Sequence, residues 1–311
     1  MTNTKSKSLS GSNPKNQLSG WASTLINIFF VIYSALCILP LLLILSVSFS
    51  DEQSVMTHGY RFMPENFNLA AYRFLMKDIS QIVHSYGISL TVTVIGTILS
   101  VIIIALYAYP ISRNNFPQAK YFTFFVFLTM LISGGLVPWY LVYVQMLELK
   151  DTLWALIMPL IMSAFWVLIM RTFFKETVPE AVLESAKIDG AGELRIFIRI
   201  VLPLSLPVLA TVALFQTLTY WNDWFLSLMF ITDNHNISVQ YFLYKMMVNI
   251  QYLSSNPNAM AEITRAGGMI NFPSETVRMA MVVVGVGPIV FAYPFFQKYF
   301  IRGLTVGSVK G

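Results

Sequence analysis

Charge is what this chain has least of. Asp, Glu, Lys and Arg together make up 11% of its 311 residues, against about 25% in soluble domains. A soluble globular protein needs far more charge to cover its surface, so that class is excluded. Cysteine is nearly absent as well. Cys37 is the only one, which excludes an intrachain disulfide and leaves no redox compartment to read. It sits in an apolar stretch and reads as a packing residue. The histidines are His58, His84 and His235, with no Cys or His at metal-ligand spacing, so no metal centre is expected. There is no Gly-x-x-x-x-Gly-Lys-Ser/Thr loop to cradle ATP phosphates. No Ser-His-Asp or Gly-x-Ser-x-Gly arrangement offers a nucleophile. The sequence therefore reads as a transport subunit rather than an enzyme, with no cofactor of its own.

What is present is apolar. Hydrophobic residues reach 56%, against about 45–50% in soluble proteins, and the mean hydropathy is +0.65. That excludes a disordered chain too. Apolar runs fall at residues 25–47, 88–111, 121–147, 153–170, 201–231 and 277–296. Each is long enough to cross about 30 Å of hydrocarbon as a helix. The expectation is an all-α membrane protein with six transmembrane helices. It divides into a disordered polar tail (1–20), a membrane domain (21–300) and a short C-terminal tail (301–311). The first run is too long for a signal-peptide core, and no small-x-small cleavage site follows it. The third is interrupted by Gly134, Gly135 and Pro138, which a membrane bundle tolerates because neighbouring helices satisfy the freed backbone groups. Pro40, Pro159, Pro207 and Pro288 suggest kinks.

An even number of crossings puts both termini on one side. Thirteen of the twenty Lys and Arg residues fall in the N-terminal segment, the 112–120 loop, the 171–200 loop and the tail. By the positive-inside rule that side is cytoplasmic, and both termini are expected inside. The net charge of +5 is thus explained by topology, and no nucleic-acid partner is implied. Two long loops, 51–84 and 232–276, face outward and are candidates for contact with an extracellular partner.

The loop over 176–203 carries the most information. Pro179 suits the first turn of a helix, with Thr177 or Val178 near its cap and Glu180 close behind. Val178, Ala181, Val182, Ser185 and Ala186 recur at spacings of three and four and form one narrow face of small side chains. Glu184 and Lys187 are placed to pair at i, i+3. Asp189-Gly190-Ala191-Gly192 then stops the helix, with Gly190 or Gly192 in the left-handed conformation. A second short helix starts near Glu193, and Pro203 leads into the fifth run. Two readings fit: a helix-turn-helix that receives another protein, or an amphipathic hairpin on the lipid surface, which Arg195 and Arg199 would also suit.

A resemblance separates them. Glu184-Ser185-Ala186, three residues, Gly190, nine residues, Ile200, one residue, Leu202-Pro203 resembles the Glu-Ala-Ala loop of permease subunits of binding-protein-dependent ABC importers. It departs from the pattern only in Ser185 for Ala. Tyr220-Trp221-Asn222-Asp223-Trp224-Phe225 and the tail from Gln297 to Gly311 are similar to those of sugar permeases of the maltodextrin and oligosaccharide type. The resemblance runs from about residue 20 to the end.

It implies the type I ABC importer permease fold, with Glu184, Ser185, Ala186, Lys187, Asp189 and Gly190 on a coupling helix that docks on a separate ATPase dimer. ATP and magnesium would then be bound by that partner. It also implies a second homologous permease, an extracellular substrate-binding protein and an oligosaccharide substrate. Gly303, Leu304, Thr305 and Gly307 would contact the ATPase; a frayed tail is the plain alternative. Tyr220, Trp221, Asn222, Asp223 and Trp224 would line the translocation path. Asp223 is costly in hydrocarbon and is expected to face the bundle interior or water. The alternative there is an interfacial aromatic belt. Rival functions are an ABC permease for peptides or amino acids, which shares the coupling loop, and a membrane-embedded lipid or glycan enzyme, which would need more ionisable groups inside the bundle than Asp223. A passive structural or assembly subunit is the third, and it would need no coupling loop.

Overall fold

The computed structural model describes residues 20–256, 258 and 274–307, with 293, 295 and 298–307 as helix course alone. The first 19 residues, most of the stretch from 257 to 273, and 308–311 lie outside it. The expectations placed there, including the polar tail and the Gly267-Gly268 end of the second outer loop, are therefore not addressed. Regular structure among the described residues is helical apart from one isolated bridge between Ser50 and Phe67.

The chain opens with α1 (Gly20–Ser48) and a short α2 (Glu52–His58). Next, α3 (Ala70–Leu75) leads through a tight turn into α4 (Ile79–Ile111). The centre of the chain holds α5 (Ala119–Leu131), α6 (Leu136–Leu141), α7 (Leu153–Ile157) and α8 (Ala164–Thr177). Three short elements follow: α9 (Glu180–Ile188), α10 (Glu193–Ile196) and α11 (Leu202–Leu204). The remainder comprises α12 (Leu206–Trp221), α13 (Phe225–Phe230), α14 (Val239–Ser255) and α15 (Ser274–Gly307).

Three stretches are long and apolar enough to cross a membrane alone: Gly20–Ser48, Ala70–Ile111 and Ser274–Ala292. Three more pairs qualify when taken together, bent by 116° after Leu131, 52° after Leu160 and 80° after Leu204. The protein is thus a multi-pass membrane protein, with three to six candidate crossings among the described residues. Gly135 sits at the sharpest bend with φ +83°, a conformation that glycine enters without steric cost. Pro159 and Pro207 lie at the other two bends, whereas Pro40 and Pro288 lie inside unbroken helices.

Two stretches expected as outer loops differ from expectation. α4 begins at Ile79, well before the apolar run, so the 51–84 loop is largely helical. The 232–276 loop likewise contains α14, whose Val239, Phe242, Leu243 and Ile250 are buried against the bundle. Both segments carry buried apolar side chains at helical spacing, which a reading by hydropathy windows passes over.

Two apolar clusters are stacked along the helices. The outer one joins α3, the first half of α4, α7, the end of α12, α13, α14 and the start of α15. The other joins the second half of α4 with α5, α8, α9, α10 and the first half of α12. Between α4 and α12 the contact face is small and polar: Gly96, Thr97 and Ser100 are buried on α4 and meet Tyr220, Thr217 and Tyr220 of α12. Small residues let two helices approach closely in lipid, where water supplies no driving force. Tyr220 of α12 fills the groove over Gly96 and shares a hydrogen bond with Ser100 at 3.1 Å.

Candidate functional site

The stretch from 176 to 203 folds as an elbow. Pro179 is the residue before the first turn, and α9 starts at Glu180, one position later than the sequence suggests. Its end is a Schellman motif: the Gly190 amide donates to the Lys187 carbonyl at 2.9 Å, and the Ala191 amide to the Ala186 carbonyl at 2.9 Å. Gly190 takes φ +80°, so it is the left-handed residue. Gly192, at φ −71°, opens α10 instead.

The expected face of small residues packs only in part: Val178 is buried and Ala186 half-buried, whereas Ala181, Val182 and Ser185 are exposed. Leu183 is the buried anchor of α9, 5% exposed, with Val178 beneath it and Ala186 half-buried beside it. Ala181, Val182, Glu184, Ser185, Lys187, Asp189 and Gly190 are exposed. Ile188, which sequence reasoning passed over, stands 86% exposed at the tip.

The expected Glu184–Lys187 pair does not form. Lys187 turns across the elbow and meets Glu193 at 2.6 Å. Glu193 also accepts the Tyr109 hydroxyl at 2.7 Å. Hydrogen bonds from Lys187 and then Tyr109 hold its carboxyl below the ordinary glutamate range. Further bonds tie the elbow to the 112–118 turn. Asn114 donates to Glu180 at 3.0 Å, and Arg113 donates to the Phe174 carbonyl at 2.8 Å. Arg171 donates to the Ile111 carbonyl at 3.0 Å. The two basic loops grouped by charge counting therefore lie at one end of the bundle. Tyr109, Arg113 and Asn114 escaped the sequence reading because they lie 84, 61 and 66 positions from their partners.

The aromatic stretch after α12 splits. Tyr220 and Trp221 are buried, 2% and 4% exposed. Tyr220 donates to the Ile157 carbonyl at 2.9 Å; Trp221 donates through Nε1 to the Gly285 carbonyl at 3.0 Å. Asn222 and Trp224 are exposed, and Trp224 stacks on Tyr244 with ring centroids 4.4 Å apart. Asp223 sits half-buried where the helix breaks, and its Oδ2 accepts the Leu226 amide at 3.1 Å as a cap for α13. The Ser238 hydroxyl also reaches the Asp223 carbonyl at 3.0 Å.

Beside this stretch a cavity of about 750 Å³ opens between α4, α12 and α15, lined by Tyr86, Thr93, Thr97, Thr217 and Trp221 among others. Of the expected path residues only Trp221 reaches it. Gly303, Leu304, Thr305 and Gly307 fall on the last turns of α15, where only the helix course is described. Among the described residues no three metal-binding side chains converge.

Broken and continuous apolar helices, an anchored polar elbow and a cavity between helices together define an integral-membrane transport component. The family model for the binding-protein-dependent transport system inner membrane component matches residues 8–306, and the chain belongs to that family. It is a transport subunit, not an enzyme. Among its relatives is the polygalacturonan/rhamnogalacturonan transport system permease protein YtcP of Bacillus subtilis, 38% identical over 284 residues, with 91% of this chain and 96% of that protein covered. The arabinooligosaccharides transport system permease protein AraQ of Halalkalibacterium halodurans is 26% identical over 301 residues, covering 96% and 100%. A crystal structure of a bacterial ABC transporter involved in the import of the acidic polysaccharide alginate superposes with a TM-score of 0.74 at 26% identity, covering 91% of this chain and 99% of that one. The fold is that of a type I ABC importer permease.

Proposed function

We propose that this chain is one of two permease halves in an ATP-driven importer of oligosaccharides, and that the α9–α10 elbow is its coupling helix. The carrying observation is the elbow itself. Its underside is fastened by Leu183, Glu180 and Glu193, while Glu184, Ser185, Lys187, Ile188, Asp189 and Gly190 are held outward in one fixed shape. A surface fastened beneath and exposed above can transmit a push into α8 and α12 without first being deformed. On this reading the ATPase dimer seats on it and supplies ATP and magnesium. Gly303, Leu304, Thr305 and Gly307 reach the same partner. Six crossings with both termini cytoplasmic follow if each bent pair is one span. An extracellular binding protein delivers the cargo to the outer segments at 51–84 and 232–276. Cargo then passes between the two permeases, past Tyr220, Trp221, Asn222, Asp223 and Trp224. An oligosaccharide cargo is supported by the carbohydrates in the names of the relatives.

The test is co-purification and uptake by the assembled importer. Ser185→Trp and Ile188→Asp leave the buried anchors in place, so the chain inserts with its second permease, but the ATPase is lost and uptake stops. Retained ATPase and normal uptake in both variants would reject the docking role. Uptake of labelled oligogalacturonides or arabino-oligosaccharides, and not of peptides, by vesicles holding the complex and its binding protein checks the cargo class.

A further inference from the structure

At the elbow end of the bundle, a crevice of about 680 Å³ lies between the 112–118 turn, α5 and α8. Four cations line it, Arg113, Lys120, Arg171 and Lys175, and no carboxylate is among the lining residues. None of the four forms an ion pair among the described residues. Arg113 and Arg171 are half-buried and fixed by bonds to the Phe174 and Ile111 carbonyls, whereas Lys120 and Lys175 are exposed at the rim. Like charges gathered in one crevice, with only Glu180 and Glu193 close enough to act on Arg113, repel one another, and a bound anion relieves that repulsion. Guanidinium groups fixed by a second bond are well suited to phosphate.

The other wall decides which anion. Phe124 and Phe127 of α5 stand 60% and 44% exposed beside the cations. They belong to a run of apolar residues that begins one position after Lys120. A soluble anion would fill the charged half and leave the rings unused. A phospholipid fills both, its phosphate among the cations and an acyl chain along the rings. Basic pockets between helices at the membrane border are the expected seats of acidic headgroups. We infer that this crevice binds an acidic phospholipid. Arg113 and Asn114 also hold α8 and α9, so a bound headgroup braces the base of the elbow. The inference rests on membrane embedding and not on the identity of the cargo.

The experiment uses the complete importer in mild detergent, with dioleoyl phosphatidylglycerol added and bound lipid counted by native mass spectrometry. Wild type retains phosphatidylglycerol in preference to phosphatidylcholine, and millimolar glycerol phosphate does not displace it. Lys120→Gln with Lys175→Gln, which removes only rim charges, weakens retention roughly ten- to thirtyfold, as loss of two near-surface charges implies. Arg73→Gln with Lys77→Gln, at the opposite end, leaves retention unchanged. Equal retention of the two lipids by wild type overturns the inference. So does displacement by glycerol phosphate, which would make this a soluble-anion site, and so does unchanged retention in the Lys120/Lys175 variant.

Discussion

Lys187 and Glu193 clasp the elbow across Gly190, nitrogen to oxygen at 2.6 Å, and the same carboxylate takes the Tyr109 hydroxyl. Because the Glu193 carboxyl is held below its usual value of 4.5, the clasp contributes fully above that value. Its contribution is lost as pH falls through the lowered one. Both partners are well exposed, so the effect is on local order rather than on global stability. Protease cleavage within 188–192 is expected to accelerate on acidification in wild type. In Glu193→Gln it should be fast and largely independent of pH. A flat profile in wild type would remove the clasp.

Gly190 holds φ +80° with nothing within 4 Å of where a Cβ would stand. Gly190→Ala is therefore penalised by backbone conformation alone, by about 1–2 kcal/mol. The strain falls on the elbow, so coupling should fail before folding does. ATPase stimulation by loaded binding protein is expected to drop while the melting temperature changes little. Gly190→Asn, which tolerates the left-handed region, should retain most of it.

A Cβ on Gly96 would lie 2.5 Å from Cζ of Tyr220. That ring is buried and its hydroxyl is engaged by Ile157 and Ser100, so it has little room to yield. Gly96→Ala is expected to destabilise by about 1–3 kcal/mol, read as a lower melting temperature of the purified complex. Adding Tyr220→Leu should recover part of the loss. Adding Tyr220→Phe should not, because the clash is with the ring and not with the hydroxyl.

Glu52 serves as the cap of a helix more than two hundred residues away. Its carboxylate accepts the Glu275 and Thr276 amides, both at 2.9 Å, and the Thr276 hydroxyl at 2.7 Å. A negative charge there also opposes the positive end of the helix dipole. Glu52→Ala is expected to cost about 1–3 kcal/mol and to raise amide exchange in the first turn of α15. Unaltered exchange there would show that the cap is dispensable.

Asp223 offers a direct choice between capping and lining a path. If the cap to Leu226 is its task, Asp223→Asn keeps the acceptor and leaves uptake normal, while Asp223→Ala lowers stability by about 0.5–2 kcal/mol. If the charge meets the cargo, Asp223→Asn changes the uptake KM at unaltered stability.

The membrane class, the elbow and its glycine stop were legible because each depends on near neighbours in the chain. Charge scarcity, helical spacing and the Asp189–Gly192 stop are all local signals. The Leu183 anchor was missed because small residues marked the face, and in this elbow most of that face turns outward. The Glu52 cap and the Tyr109–Glu193 bond join distant segments, and no local pattern announces them. The fifth apolar run shows the opposite error. Hydropathy averages across Asn222 and Asp223, whereas the backbone breaks there to form a cap.

α1 presents almost all of its surface outward; only Val47 and Ser48 at its end are buried, and it supplies no residue to either apolar cluster. Within the chain α1 packs against α15, so apolar-for-apolar exchanges are expected to be silent in the isolated subunit only at its most exposed positions, such as Phe29, Val31 and Leu36. An intolerance at one of these exposed positions that appears only in the assembled importer reports a neighbour in the quaternary structure, so a scan of that face maps the adjoining chain without a structure of the complex.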